Sequence, residues 1–147
     1  MQLTEADIKK IAAVLKVSPT IQDDEIQFTI RNPANGFTLS LTIYQNVSWN
    51  DQKVTIVSAL TPSGMYQLHN CIGYVTFEDE EVIFVSQDPH HSSYFSTMTI
   101  GNNASCSIFA SVNQELLHTD FGALDERLLL AAMQLAIIES LFSAGED

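Results

Sequence analysis

A chain of 147 residues is the size of one domain with one core, and a hydrophobic fraction of 46% argues against intrinsic disorder. Eighteen acidic against six basic residues give a net charge of −12. Phosphate backbones and anionic membrane surfaces repel such a chain, so nucleic acid and membrane are disfavoured as partners, and a basic protein segment is the electrostatic complement.

The first element reads as a helix. Thr4 caps it, with Asp7 three residues on in a shortened capping box. Ile8, Ile11, Ala12 and Leu15 form one apolar stripe. Glu5 and Asp7 suit the positive end of the helix dipole and Lys16 the negative end. Lys9, Lys10 and Lys16 read as its solvated face, and Pro19 stops the helix.

The period then changes to two. Ile26, Phe28 and Ile30 alternate with polar residues, and Asn32 to Gly36 is a turn signal. Phe37, Leu39, Leu41 and Ile43 continue the alternation, with hydroxyls on the opposite face. After a polar loop at Asn50-Asp51, Val54, Ile56, Ser58 and Leu60 are expected to form the next inward row. Together these segments predict a three-stranded antiparallel meander, and Thr61-Pro62-Ser63-Gly64 is expected to break the sheet. Residues 65–70 are ambiguous and admit a short helical turn. Val75 and Phe77 lead into Glu78, Asp79, Glu80 and Glu81, and Val82, Phe84 and Val85 lead out. That is a hairpin with acids at its tip, read as a solvated turn, with contact to a basic partner as the functional alternative. Residues 94–100 predict a strand, Gly101-Asn102-Asn103 a tight turn, and Cys106, Ile108, Ala110 and Val112 another strand. Leu116 to His118 suits a short final strand.

Residues 125–143 predict a closing helix with Gly145 at its C-terminal cap. Leu128, Ala131, Leu135, Ile138 and Phe142 form one apolar stripe. Leu129, Leu130, Met133, Ile137 and Leu141 form a second. A helix apolar nearly all round needs cover on more than one side. The second stripe is therefore the candidate dimer or partner contact, with an apolar ligand as the alternative cover.

Residues 1–7 lack the charged and apolar regions of a secretory signal, and no apolar run approaches the ~20 residues of a membrane span. Cys71 and Cys106 lie in apolar-alternating segments and read as reduced core thiols, which points to the cytoplasm. Catalytic signatures are weak. His90-His91 with Asp88 is a loop cluster whose adjacent histidines do not suit one metal. His69 and Cys71, two apart, would share a face on a strand and form a thiolate pair only if polar groups flanked them. No glycine-rich phosphate loop and no nucleophile elbow occurs. The expectation is a non-enzymatic protein without cofactor or metal.

The tail ASCSIFASVNQELLHTDFGALDERLLLAAMQLAIIESLF, with its loop Phe121-Gly122-Ala123-Leu124-Asp125, resembles the closing strands and last helix of the class I chaperones of bacterial type III secretion. The front, DIKKIAAVLKV followed by two alternating strands, is similar to that family's first helix and hairpin. The resemblance implies a dimeric, acidic, cytosolic α+β protein that holds an extended segment of a partner.

The fold expected is thus α+β over residues 1–147 as a single domain: a curved antiparallel sheet with the N- and C-terminal helices on one face. The function expected is chaperone-like protein binding, as a homodimer, to a basic or unfolded segment. The alternative is a carrier of a small apolar, lipid-like ligand, similar to the plant pollen-allergen fold, with a cavity between the sheet and the closing helix.

Overall fold

The computed structural model describes residues 1–88 and 94–113. It is mostly β, with one N-terminal helix and two antiparallel sheets. Helix α1 spans Glu5–Leu15. The first sheet holds β1 (Thr20–Gln22), β2 (Glu25–Arg31), β3 (Thr38–Trp49), β4 (Gln52–Thr61) and β5 (Gly64–Leu68), in that spatial order. The second holds β6 (Cys71–Phe77), β7 (Glu81–Gln87), β8 (Tyr94–Gly101) and β9 (Cys106–Asn113), also in chain order. Every strand pairs antiparallel with its chain neighbour inside its sheet.

Helix α1 starts as its sequence demands. The Thr4 hydroxyl accepts from the Asp7 amide at 3.1 Å, and Asp7 Oδ2 accepts from the Thr4 amide at 2.8 Å. This reciprocal box satisfies two amides that the helix itself leaves unpaired. The helix ends at Lys16, which is left-handed (φ 59°) and donates its amide to the Ala12 carbonyl. Lys16 therefore closes the helix through its backbone rather than only through its charge. Ile11, Val14 and Leu15 are buried, so Val14 joins the expected stripe while Ala12 lies at its margin.

Strand β2 alternates strictly, with Ile26, Phe28 and Ile30 buried. Strand β3 buries Leu39, Leu41 and Ile43, but Phe37, expected in the same row, precedes the strand and is 55% exposed. The β2–β3 turn closes through Asn32, whose amide donates to the Phe37 carbonyl at 2.8 Å, with Gly36 left-handed at φ 75°.

The inward row of β4 differs from expectation. Val57 and Ala59 enter the core opposite Ile43 and Leu41, while Leu60 is 54% exposed. The reason is a bulge in β3. Tyr44 pairs Ile56 and Val47 pairs Val54, so Gln45 and Asn46 face the single residue Thr55. The segment 54–60 is apolar at both parities, and the strand it pairs with selects the face. Asn46 takes φ 57°, and the Gln45 amide donates to the Asp24 carbonyl at 2.8 Å. The bulge also anchors the N-terminus. Leu3 donates its amide to Gln45 Oε1 at 2.9 Å, and the Thr55 hydroxyl donates to the Met1 carbonyl at 2.8 Å.

Two further expectations are corrected. The Thr61–Gly64 stretch does not break the sheet: Pro62 and Ser63 form a two-residue hairpin loop, with Thr61 and Gly64 paired. Residues 65–68 are accordingly strand, with no helical turn. The break falls at His69-Asn70, where Asn70 is left-handed (φ 56°) and donates through Nδ2 to the Gln87 carbonyl at 3.1 Å. One curved sheet thus becomes two.

A single principal core joins both sheets and the helix. Ile11, Val14 and Leu15 of α1 and Leu41, Ile43 and Val57 of the first sheet meet Val82, Phe84, Met98 and Ile100 of the second. Two polar ties pin the helix across this core. The Tyr74 hydroxyl donates to Asp7 Oδ1 at 2.7 Å, and Asn102 Nδ2 donates to the Val14 carbonyl at 3.4 Å. The strand expected at 116–118 and the closing helix at 125–143 lie outside the described residues.

Candidate functional site

Among the described residues, strand β5 is an edge of the first sheet. An edge presents a row of backbone donors and acceptors with no neighbouring strand, and proteins usually blunt such edges with charges or proline. The sequence of β5, Gly-Met-Tyr-Gln-Leu, carries neither. Met65 is 62% exposed on one face of the strand and Tyr66 39% exposed on the other. Met65 sits directly opposite the exposed Leu60, and that row continues across the sheet through Ser40 and Thr29. The next row is Gln27, Thr42, Ser58 and Gln67. The outer face of the sheet is thus hydroxyl- and amide-rich over β2 and β3, and apolar exposure concentrates at the β4–β5 margin.

The C-terminal end of β5 runs into a hollow of about 190 Å³ at the junction of the sheets. Gln67, Leu68, His69 and Asn70 line one side, Trp49 from the β3–β4 hairpin lines another, and Asp88, Tyr94 and Ser96 come from the second sheet. The Asn50-Asp51 turn, with both residues left-handed, projects Trp49 there, and its ring lies 5.9 Å from that of His69, tilted by 59°. Ligand pockets for drug-sized molecules run to roughly 300–1,000 Å³; this hollow is closer to the size of one side chain. The hollow thus continues the line of the β5 edge.

The acidic turn lies elsewhere. Glu78, Asp79 and Glu80 are exposed between β6 and β7, and Glu81 is half-buried as the first residue of β7, opposite Phe77. The hollow lies at the other end of β7, so these four acids are not part of it. The Glu80 carbonyl accepts from the Asn102 amide at 2.9 Å, which fastens the acidic turn beside the last turn of α1. Leu129, Leu130, Met133, Ile137 and Leu141, and the cavity expected beneath the closing helix, lie outside the described residues, as do His90 and His91. Among the described residues no three His, Cys, Asp or Glu side chains converge as a metal site would require. No helix among them is long and apolar enough to cross a membrane.

The structure separates His69 from Cys71. His69 is exposed against Trp49, whereas Cys71 is buried and its thiol donates to the Gly73 carbonyl at 3.4 Å. Burial pushes the Cys71 thiol up to about 11, and the same cause lifts Cys106 to about 11. Neither is a thiolate near neutrality, so both are expected to resist iodoacetamide in the folded protein and to react once it is denatured. Stability follows the same sign. A thiol raised in the fold contributes fully below its ordinary value near 9.0, and that contribution disappears as pH rises through about 11. Urea midpoints measured between pH 8 and 11 should fall, and a flat profile would contradict the burial.

No family profile, no curated protein and no solved structure matches the chain.

Sequence reasoning missed the β5 edge and the hollow beside it. Their only local trace is a run of five uncharged residues after a Pro-Ser turn, which reads equally as strand or helical turn.

Proposed function

We propose that this chain is a non-enzymatic, chaperone-like protein-binding domain that holds an extended segment of a partner along β5. The observation that carries this reading is an edge strand with exposed apolar side chains on both faces and no charge or proline to block pairing. Strand addition takes affinity from main-chain hydrogen bonds and specificity from pockets for alternate side chains. Here Met65 and Leu60 offer the apolar contact, and the hollow by Trp49 and His69 takes one anchor. The net charge of −12 favours basic segments and keeps the complex soluble.

Two synthetic peptides of about ten residues test this, one alternating valine with lysine and one valine with glutamate. The lysine peptide should perturb the backbone amides of residues 64–68, and the glutamate peptide should bind far more weakly. The variant Met65→Lys should weaken the lysine peptide roughly tenfold, equivalent to about 1.4 kcal/mol, and leave stability within about 0.5 kcal/mol. Perturbations that avoid β5, or indifference to Met65→Lys, would remove the edge as the binding site.

A further inference from the structure

The turn between β2 and β3 holds the one Asn-Gly pair of the chain, Asn35-Gly36. Asn35 is exposed, and its side-chain oxygen accepts from the Phe37 amide at 2.9 Å. That bond folds the side chain back over the Gly36 amide as an Asx turn and draws electron density away from Cγ. Nη2 of Arg31 lies 3.7 Å from where a Cβ on Gly36 would stand, so the guanidinium borders the same peptide. An electrophilic carbon, a donor at its oxygen and a positive charge thus meet beside the nitrogen of a residue without a side chain.

We propose that Asn35 is a site of self-modification, in which attack by the Gly36 nitrogen converts its amide to an acid. Solvent hydroxide removes the Gly36 N–H proton, and the freed electron pair forms a bond to Cγ. Negative charge passes to Oδ1, where the Phe37 N–H already points. The anionic nitrogen that attacks is opposed by the charge of Arg31. The Cγ–Nδ2 bond then breaks, and Nδ2 takes a proton from water and leaves as ammonia. Water opens the cyclic imide at either carbonyl and yields aspartate or isoaspartate. No oxidant or reductant is consumed. The Gly36 N–H donates to the Asn32 carbonyl at 2.8 Å, so the fold slows the first step without blocking it. Either product adds a negative charge to the turn. Isoaspartate also adds a methylene to the backbone between Asn32 and Phe37, whose hydrogen bond closes the turn.

The chain carries its own control. Asn103 is exposed, and its side-chain oxygen accepts from the Ser105 amide at 3.2 Å in the same kind of turn. Ala104 is left-handed at φ 65°, as Gly36 is at φ 75°, and its amide donates to the Gly101 carbonyl at 3.1 Å. The two turns match in these respects, but Ala104 sets a methyl group beside the attacking nitrogen. Asn32 precedes Pro33, which has no amide proton to lose.

The test incubates the full-length protein at mildly alkaline pH, digests it in acid and follows each asparagine peptide by mass spectrometry. Acid should accumulate at Asn35 roughly tenfold faster than at Asn103, equivalent to a barrier lower by about 1.4 kcal/mol. Arg31→Gln, at an exposed position, should slow the reaction roughly threefold, the scale of an exposed charge contact. Asn35→Gln should abolish it. Equal rates at Asn35 and Asn103, or no acid at Asn35, would overturn the proposal. An unchanged rate in Arg31→Gln would overturn the part assigned to the guanidinium.

Discussion

Phe84→Ala is expected to destabilise the protein by about 3–5 kcal/mol, the range for truncating a fully buried aromatic. Phe84 has no exposed surface. Its ring lies 6.5 Å from that of Tyr74, and its backbone pairs with Tyr74 on one side and Met98 on the other. It belongs to a cluster that, among the described residues, contains members of α1 and of both sheets. The lost contacts are therefore shared, and the cavity cannot collapse by moving one sheet alone. Urea unfolding followed by far-ultraviolet circular dichroism and by Trp49 fluorescence should give coincident transitions, both shifted to lower urea. Leu60→Ala, at a position 54% exposed, should stay within about 0.5 kcal/mol and serves as the control. A cost below about 1 kcal/mol for Phe84→Ala would mean that the sheets do not share a core.

Asp7→Ala is expected to cost about 1–3 kcal/mol, because one carboxylate serves two structures. Its Oδ2 completes the cap of α1 at the Thr4 amide, and its Oδ1 accepts from the Tyr74 hydroxyl on β6. Tyr74→Phe removes only the second contact and should cost less. The double variant should cost less than the sum of the singles, and the shortfall measures the coupling between helix and second sheet. The effect depends on pH with a definite sign. The Thr4 amide first, then the Tyr74 hydroxyl, hold the Asp7 carboxyl below its usual range, against partial burial that acts the other way. A carboxyl depressed in the fold contributes fully above its unfolded value near 4 and loses that contribution as pH falls through the folded value. The gap between the wild-type chain and Asp7→Ala should therefore be full at pH 6 and narrow below pH 4. A gap that persists unchanged to pH 2 would show that the charge of Asp7 is irrelevant.

How far each element was legible follows from how local its causes are. The α1 cap is written in Thr4 and Asp7, three residues apart, and it forms as read. The inward rows of β2 and of β3 up to Ile43 follow from strict alternation, which leaves only one apolar face to bury. The acidic β6–β7 hairpin and the strands on either side of Asn102 are marked by turn residues at their tips. Strand β4 was misread because Val54, Ile56, Val57, Ala59 and Leu60 offer apolar residues at both parities. The β3 bulge at Gln45 and Asn46, forty residues from the N-terminus it anchors, selected Val57 and Ala59. The β5 edge and the hollow beside it were illegible for a related reason. Met65, Tyr66, Trp49 and His69 carry no motif, and only the pairing order reveals that β5 is an edge and that the hairpin tip reaches it.

What the sequence determined by itself is the α+β class, the capped first helix, the alternating strands and a net charge of −12. Each of these rests on periodicity, capping or composition, which act over a few residues or on the chain as a whole. What only the tertiary structure decided is the division into two sheets at Asn70, the face that β4 buries, and, among the described residues, the β5 edge beside Trp49. Those depend on register and on which strands become neighbours, and pairing energies between distant segments settle both.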